Sequence, residues 1–300
     1  MKRKQRRAFT LADTAGLAAA IGLIGVVAIA QQAKEDIAAR QIKDSTQIRG
    51  VHQGMVLWAQ NNEDRYPIPS RHDSQDQTIK ATDPATKDTT ANIYSMLIYN
   101  GYMPASILVS PAEASLSILA DQDYELTNPK AAATPATALW DPAFSADFTR
   151  GNIGNTSYAH QIPASERRER WSNTFQANEP IVSTRGPRVE SVDEVRDAEG
   201  KVSVVPELAN DVSQTFDMFG EGKSWKGNVA FNDNHVEFLT ELTHKDVQYD
   251  IDKPLGEQGP RRALDVIFFD ENDAKNRQNA YLGIFTKAGE RTKGYRAIWD

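Results

Sequence analysis

The sequence predicts an α+β protein in which one long N-terminal α-helix, a membrane half followed by an amphipathic half, packs on an antiparallel β-sheet. Three observations predict it. An uncharged run extends from Thr14 to Ala33, no proline occurs from there to Asn62, and short β-branched and aromatic segments separated by turn residues follow. At 300 residues the chain can bury a substantial core in one large domain or two small ones.

The first element is a basic leader, residues 1–8. Lys2, Arg3, Lys4, Arg6 and Arg7 crowd five positive charges into the start of a chain whose net charge is −7. Basic residues ahead of an apolar segment hold its N-terminus in the cytoplasm. The run Thr14–Ala33 would form a helix of about 30 Å, the hydrocarbon thickness of a bilayer. It is rich in Ala and Gly and carries Leu17, Ile21, Leu23, Ile24, Val26, Val27 and Ile29. This predicts a single-pass protein of the cytoplasmic (inner) membrane, N-terminus inside, with its globular domain periplasmic or otherwise extracytoplasmic.

Three readings of this N-terminus compete. Ala28-Ile29-Ala30 offers a small-x-small cleavage site for a secretory signal peptide. Arg6-Arg7-Ala8-Phe9 has the paired arginines of a twin-arginine signal. A prepilin-type leader would instead be cut between Ala8 and Phe9 and leave the apolar stretch attached.

The next element helps to choose. Ile37, Ile48, Val51, Met55 and Trp58, with Ile42 near the same stripe, follow a helical period, while Lys34, Glu35, Asp36, Arg40 and Lys43 occupy the other faces. One helix over 9–62 is therefore expected, roughly 75 Å long, with its membrane half at about 14–33. A cleaved signal normally leads into a flexible polar start, so a continuous helix favours the prepilin-type reading. Residues 63–300 form the exported globular α+β domain.

In that domain, 66–90 is a polar excursion broken by Pro67, Pro69 and Pro84, and 91–101 a short helix ending at Gly101. Residues 128–150 form a second loop. The charged stretches 163–171 and 186–201 read as solvated faces or insertions. Strands are expected at 156–159, 180–183 and 202–205. A hairpin of 229–231 with 236–239 turns on Asn232-Asp233-Asn234, residue types that tolerate left-handed backbone. Residues 265–269 and 281–285 are expected to form a last strand pair around an acidic, Asn-rich loop.

Composition excludes several classes. A hydrophobic fraction of 40% with 25% charged residues rules out a polytopic membrane protein. The acidic balance argues against a general nucleic-acid binder, whose phosphate contacts need a basic surface. With no cysteine, disulfides, thiolate nucleophiles, iron–sulfur clusters and Cys-ligated zinc are excluded.

Basic leader, Phe9-Thr10-Leu11, an acidic Asp13 five positions into the mature chain and an uninterrupted apolar helix resemble a type IV pilin or type II secretion pseudopilin. The segment Val51–Pro67 is similar to the helix end and "YANDN…YP" exit of prepilin-like proteins abundant in planctomycete-type bacteria. Leu108-Val109-Ser110-Pro111-Ala112-Glu113 resembles their "CPS" segment, with Ser where Cys is common. Asn228–Leu239 resembles their "FADGHVEFL" hairpin. Ala8 departs from the usual Gly and Asp13 from the usual Glu. The resemblance implies a pilin-like fold, leader cleavage between Ala8 and Phe9 by a prepilin peptidase, and methylation of the new terminus. It also implies subunit assembly through Phe9 and Asp13, the carboxylate pairing with a neighbouring subunit's terminal amine. A charge in hydrocarbon needs such a partner.

No catalytic constellation is visible. The five histidines form no HExxH or HxH pattern, and there is no GxSxG elbow, Walker loop or Rossmann fingerprint. His235 two residues after Asp233 reads as a hairpin turn. Trp140, Trp171, Trp225 and Trp299 are candidates for a sugar-binding face or, more simply, core and rim. No cofactor is expected; the calcium candidates Asp270, Asn272 and Asp273 lack EF-hand spacing. The expected function is thus a structural, non-enzymatic subunit of a pilus-like or pseudopilus-like filament serving protein transport. Its partners would be copies of itself or other pseudopilins, the prepilin peptidase and the cytoplasmic membrane, with no nucleic acid. The alternative is an exported or membrane-anchored binding protein for a polysaccharide or surface partner, using the N-terminus only as signal or anchor.

Overall fold

Helix α1 runs from Leu11 to Gln60, fifty residues without the proline that would break it. It ends where Glu63 and Asp64 adopt left-handed backbone. The structure is a computed structural model describing residues 11–164, 166–196, 202–210, 212–220, 222–254, 256 and 258–300, with side chains from Glu35 onward except at 196, 202 and 203. Two units divide the chain, Met1–Arg40 and Gln41–Asp300. In the first, the described side chains of Glu35, Asp36 and Arg40 are exposed. In the second, α1 buries Ile48, Val51, Met55, Trp58 and Ala59 at a helical spacing.

Two further α-helices follow among the described residues, α2 (Pro69–His72) and α3 (Thr90–Tyr99). The Thr89 hydroxyl caps α3 by accepting from the Asn92 amide, and Gly101 with φ 75° turns the chain just past its end.

The strands are β1 (Tyr158–Gln161), β2 (Pro180–Thr184), β3 (Val189–Arg196), β4 (Val202–Leu208), β5 (Gly227–Phe231), β6 (Val236–Leu239), β7 (Thr243–Asp250), β8 (Arg262–Val266), β9 (Leu282–Lys287) and β10 (Arg296–Ile298). Six of them form an antiparallel sheet in the order β10-β9-β1-β2-β5-β6, while β3-β4 and β7-β8 are separate two-stranded ribbons. The large sheet is buried on both faces, and alternation sorts its side chains. Tyr158, Val182 and Ala230 join α1, α3, Trp140 and Trp171 in one core, and Ile181, at the register shift between Pro180 and Val182, breaks the alternation and joins it too. Val229, Phe231, Leu282 and Ile284 join Trp225, Ile267 and Phe268 in the other.

That second core leaves no room at Gly186, between β2 and β3, where an added Cβ would run into the Phe268 ring. Gly186→Ala is expected to cost roughly 1–3 kcal/mol as overpacking. A lower urea midpoint at unchanged slope would register it; an unchanged midpoint would contradict the packing.

Several expectations are corrected. Among the described residues no helix is long and apolar enough to cross a membrane. The pilin-like fold with a membrane half at 14–33, and the single-pass inner-membrane placement built on it, are therefore not supported. The expectation rested on length. From Glu35, where the described side chains begin, the helix carries Glu35, Asp36, Arg40, Lys43 and Asp44, and charges at that density do not enter hydrocarbon. What the structure supports is a mixed, sheet-rich α+β arrangement. The leader 1–8 lies outside the described residues. The expected pairing of 265–269 with 281–285 does not occur: β8 pairs with β7, and β9 lies between β1 and β10. Ile267 and Phe268 leave the strand in a turn and drop into the core instead. The charged stretches read as solvated faces hold strand β3 and a fully buried Arg167.

Candidate functional site at the seat of helix α1

The sequence-predicted assembly residues contribute no geometry here. Ala8 and Phe9 lie outside the described residues, and Asp13 sits in α1 with its side chain outside them. The calcium candidates face different partners. Asp270 forms ion pairs with Arg167 (2.5 Å) and Arg277 (3.2 Å), Asp273 accepts from the Tyr249 hydroxyl (2.9 Å), and Asn272 is exposed. Among the described residues no group of three or more His, Cys, Asp or Glu side chains is placed to hold a metal ion.

Where α1 enters the sheet, two polar side chains interrupt its apolar stripe, Asp44 and His52, both fully buried. Strands β1, β2 and β5 each send one donor to Asp44. The Tyr158 hydroxyl donates to Oδ1 at 2.8 Å, and the Thr184 hydroxyl and Asn228 amide donate to Oδ2 at 3.1 and 2.7 Å. The same amide donates to the Gln41 carbonyl at 3.2 Å. Burial raises the Asp44 pKa, with the hydrogen bonds from Asn228, Tyr158 and Thr184 opposing it. One carboxyl group thus ties one helical turn to three strands.

Eight residues on, His52 hydrogen-bonds through Nε2 to the Tyr66 hydroxyl (2.9 Å) and through Nδ1 to Asn234 (3.1 Å). Tyr66 donates to Asn232 Oδ1 at 2.7 Å, and Asn232 donates to Glu179 at 2.8 Å and to the Ser172 carbonyl at 2.9 Å. Glu179 also accepts from Thr174 and is paired with Arg170. Burial lowers the His52 pKa, with the Asn234 hydrogen bond and the Asp233 charge opposing it. The hairpin turn Asn232-Asp233-Asn234 is therefore a grip on α1 as well as a connection. Sequence reasoning missed Asp44, His52 and Asn232. The available signal was polar residues recurring on the apolar face of a helix.

The remaining histidines are structural or peripheral. His160 is buried, its Nδ1–H donating to the Gln161 carbonyl and its Nε2 accepting from the Thr90 hydroxyl, and burial pushes its pKa down to about 4. His235 stacks on Phe231 and pairs with Asp233, the turn role expected of it. Trp140, Trp171 and Trp225 are core, while Trp299 is half-buried.

A second buried polar cluster lies beneath the β8–β9 connection. Asp265 accepts from the Ala280 amide at 2.6 Å, and Glu271 accepts from the Val266 amide at 3.0 Å and from Asn279 at 2.6 Å. Arg167 donates to the Asn279 carbonyl and side chain and to Asp270. Burial holds both Asp265 and Glu271 well above the ordinary carboxylate range, and the Asp265 charge raises Glu271 further. Comparison of the chain with protein-family models, curated proteins and solved structures finds no match.

Proposed function

We propose that the protein is a structural subunit of a filament of the type IV pilus or type II secretion pseudopilus kind, assembled through α1 after removal of the leader by a prepilin peptidase. One observation carries the reading. α1 is a single helix of fifty residues, yet among its described side chains, from Glu35 onward, the buried ones begin only at Asp44. Average globular helices run about 10–14 residues and owe their stability to packing on a core. The described side chains from Glu35 to Lys43 are exposed or half-exposed, and the uncharged run before them needs an apolar cover. Copies of the same helix supply one, because Ala- and Gly-rich faces let backbones approach closely. The resemblance of Phe9–Asp13 and of the 51–67 and 228–239 segments to pilin-like sequences points the same way.

The absence of cysteine makes the test clean. The double variant Ala38→Cys, Lys43→Cys is expected to give a ladder of covalent multimers when cells producing it are oxidised. Intact-mass measurement of the native protein is expected to place the mature terminus at Phe9. Monomer alone after oxidation, or a chain beginning at Gln31, would overturn the proposal.

A further inference from the structure

The grip on His52 also shapes a cavity. Between α1 and the β5–β6 turn lies a cleft of about 280 Å³, lined in part by Gln53, Val56 and Leu57 from the helix and by Asn232 and Asn234 from the turn. The loop 171–178 closes its third side with Asn173 and Phe175. We propose that this cleft binds a neutral saccharide, seating one sugar ring against Phe175 with its hydroxyl groups on the asparagine floor.

Size and charge narrow the ligand first. Pockets for drug-sized molecules span roughly 300–1,000 Å³, so this cleft admits a single ring. Among the described residues its lining includes no lysine or arginine, and its one carboxylate, Asp233, already pairs with His235. An anion would find no counter-charge there. The Asn232 amide is already saturated by Tyr66, Thr174, Glu179 and Ser172. The lining amides of Gln53, Asn173 and Asn234 present donors and acceptors, which suits hydroxyl groups, since each of those also donates and accepts.

Two independent features point to a ligand. Asn173 is 8% exposed, and its Oδ1 is buried with no hydrogen-bond partner. A buried acceptor left unmade costs about 1–3 kcal/mol, and a turn of the Asn173 side chain toward the cleft it lines would let a sugar hydroxyl satisfy it. Two residues on, Phe175 has φ 58° and is 68% exposed. A left-handed backbone costs a non-glycine residue about 1–2 kcal/mol, and here it holds an aromatic ring out in solvent at the lip of the cleft. Strain of this sort concentrates at binding sites. Leu57, 47% exposed, continues the apolar lip. An aromatic face beside amides matches a pyranose, whose C–H face is apolar and whose edge is polar.

The floor is fixed in advance. Asn232 is held by Tyr66, Glu179 and Ser172, and Asn234 by His52. Binding then loses little side-chain freedom. The inference stands on the unit Gln41–Asp300 alone, so filament assembly and saccharide binding can each fail without the other.

Saturation-transfer difference NMR on the full chain tests it, using the methyl glycosides of glucose, galactose and mannose, N-acetylglucosamine, and glucuronate as a charged analogue. Transfer to at least one neutral probe is expected, with affinity falling about tenfold or more in Phe175→Gly and about fivefold in Asn173→Ala. Glycine keeps the left-handed backbone without steric cost, and the bond from the Asn173 amide to the Asp64 carbonyl is untouched by truncation, so both variants should keep the parent's thermal midpoint or exceed it. No transfer to any neutral probe, tighter binding of glucuronate, or unchanged affinity in both variants would overturn the proposal.

Discussion

Replacing Asp44 by alanine is expected to lower the unfolding free energy by about 3 kcal/mol. The change removes the acceptor shared by three buried donors, the Tyr158 and Thr184 hydroxyls and the Asn228 amide. It leaves them only the longer contacts to Gln47 (3.5 Å), the Asn228 carbonyl (3.3 Å) and the Gln41 carbonyl (3.2 Å). Each donor so deprived costs about 1–3 kcal/mol, offset in part because the burial that raises the Asp44 pKa already weighs against the wild type. Asp44→Asn should cost less, about 1–2 kcal/mol. It keeps an oxygen for Tyr158 but sets a second amide nitrogen beside Asn228. Urea unfolding followed by circular dichroism measures both. A shift in midpoint at constant slope is expected, since no large change in exposed surface accompanies either substitution. Equal stability of Asp44→Ala and wild type would remove the seat of α1 as a source of stability.

The second large effect is in the pH dependence. Asp265 and Glu271 are raised chiefly by burial, and the Arg167 and Arg170 charges near Asp265 offset that only in part. A carboxyl group whose folded-state pKa is raised favours the folded state while it keeps its proton. That contribution is complete below the ordinary carboxylate values and is lost as pH rises through the raised folded-state values. The contribution of this pair should therefore decline from about pH 5 to about pH 9. It dominates above about pH 6.5, where His52 and His160, whose lowered pKa values act in the opposite direction, no longer titrate. Asp265→Asn keeps an acceptor for the Ala280 amide and removes one of the two buried charges. It is expected to flatten the profile and exceed the wild type by about 1–2 kcal/mol at the alkaline end, each pKa unit corresponding to about 1.4 kcal/mol. A wild-type midpoint that rises with pH above about pH 6.5, or a variant with the parent's slope there, would contradict this reading.

Periodicity made much of the architecture legible. The apolar stripe through Ile48, Val51, Met55 and Trp58 marked the buried face of α1, and the short β-branched segments marked β1, β2, β4, β5 and β6. Strand β7, Thr243-His244-Lys245-Asp246-Val247-Gln248-Tyr249-Asp250, was illegible because a ribbon half open to water keeps polar residues on most positions. Strand partners were illegible too. Pattern shows that a segment is extended, whereas the pairing of β8 with β7 depends on contacts remote in sequence. Arg167 looked solvated within Glu166-Arg167-Arg168-Glu169-Arg170, since nothing local signals that Asn279 and Asp270 will meet it. The inner-membrane placement failed for a different reason, because it drew on segment length and the described helix offers no span. Of the seat, only the turn chemistry of Asn232-Asp233-Asn234 was readable. Asp44 and His52 are polar residues on an apolar stripe, where their partners, and hence their meaning, come from the sheet.

The two points that hold α1 to the sheet lie eight residues apart, about 12 Å along the helix axis and rotated by roughly a quarter turn. Asp44 and His52 together fix both rotation and register, so that advancing the helix by one residue would break both clusters at once. Force applied along the helix is therefore shared between the two clusters and the packed side chains of Ile48, Val51, Met55, Trp58 and Ala59. Such a joint stays stiff up to a threshold and then fails as a unit, the mechanical character of a fastener rather than a hinge.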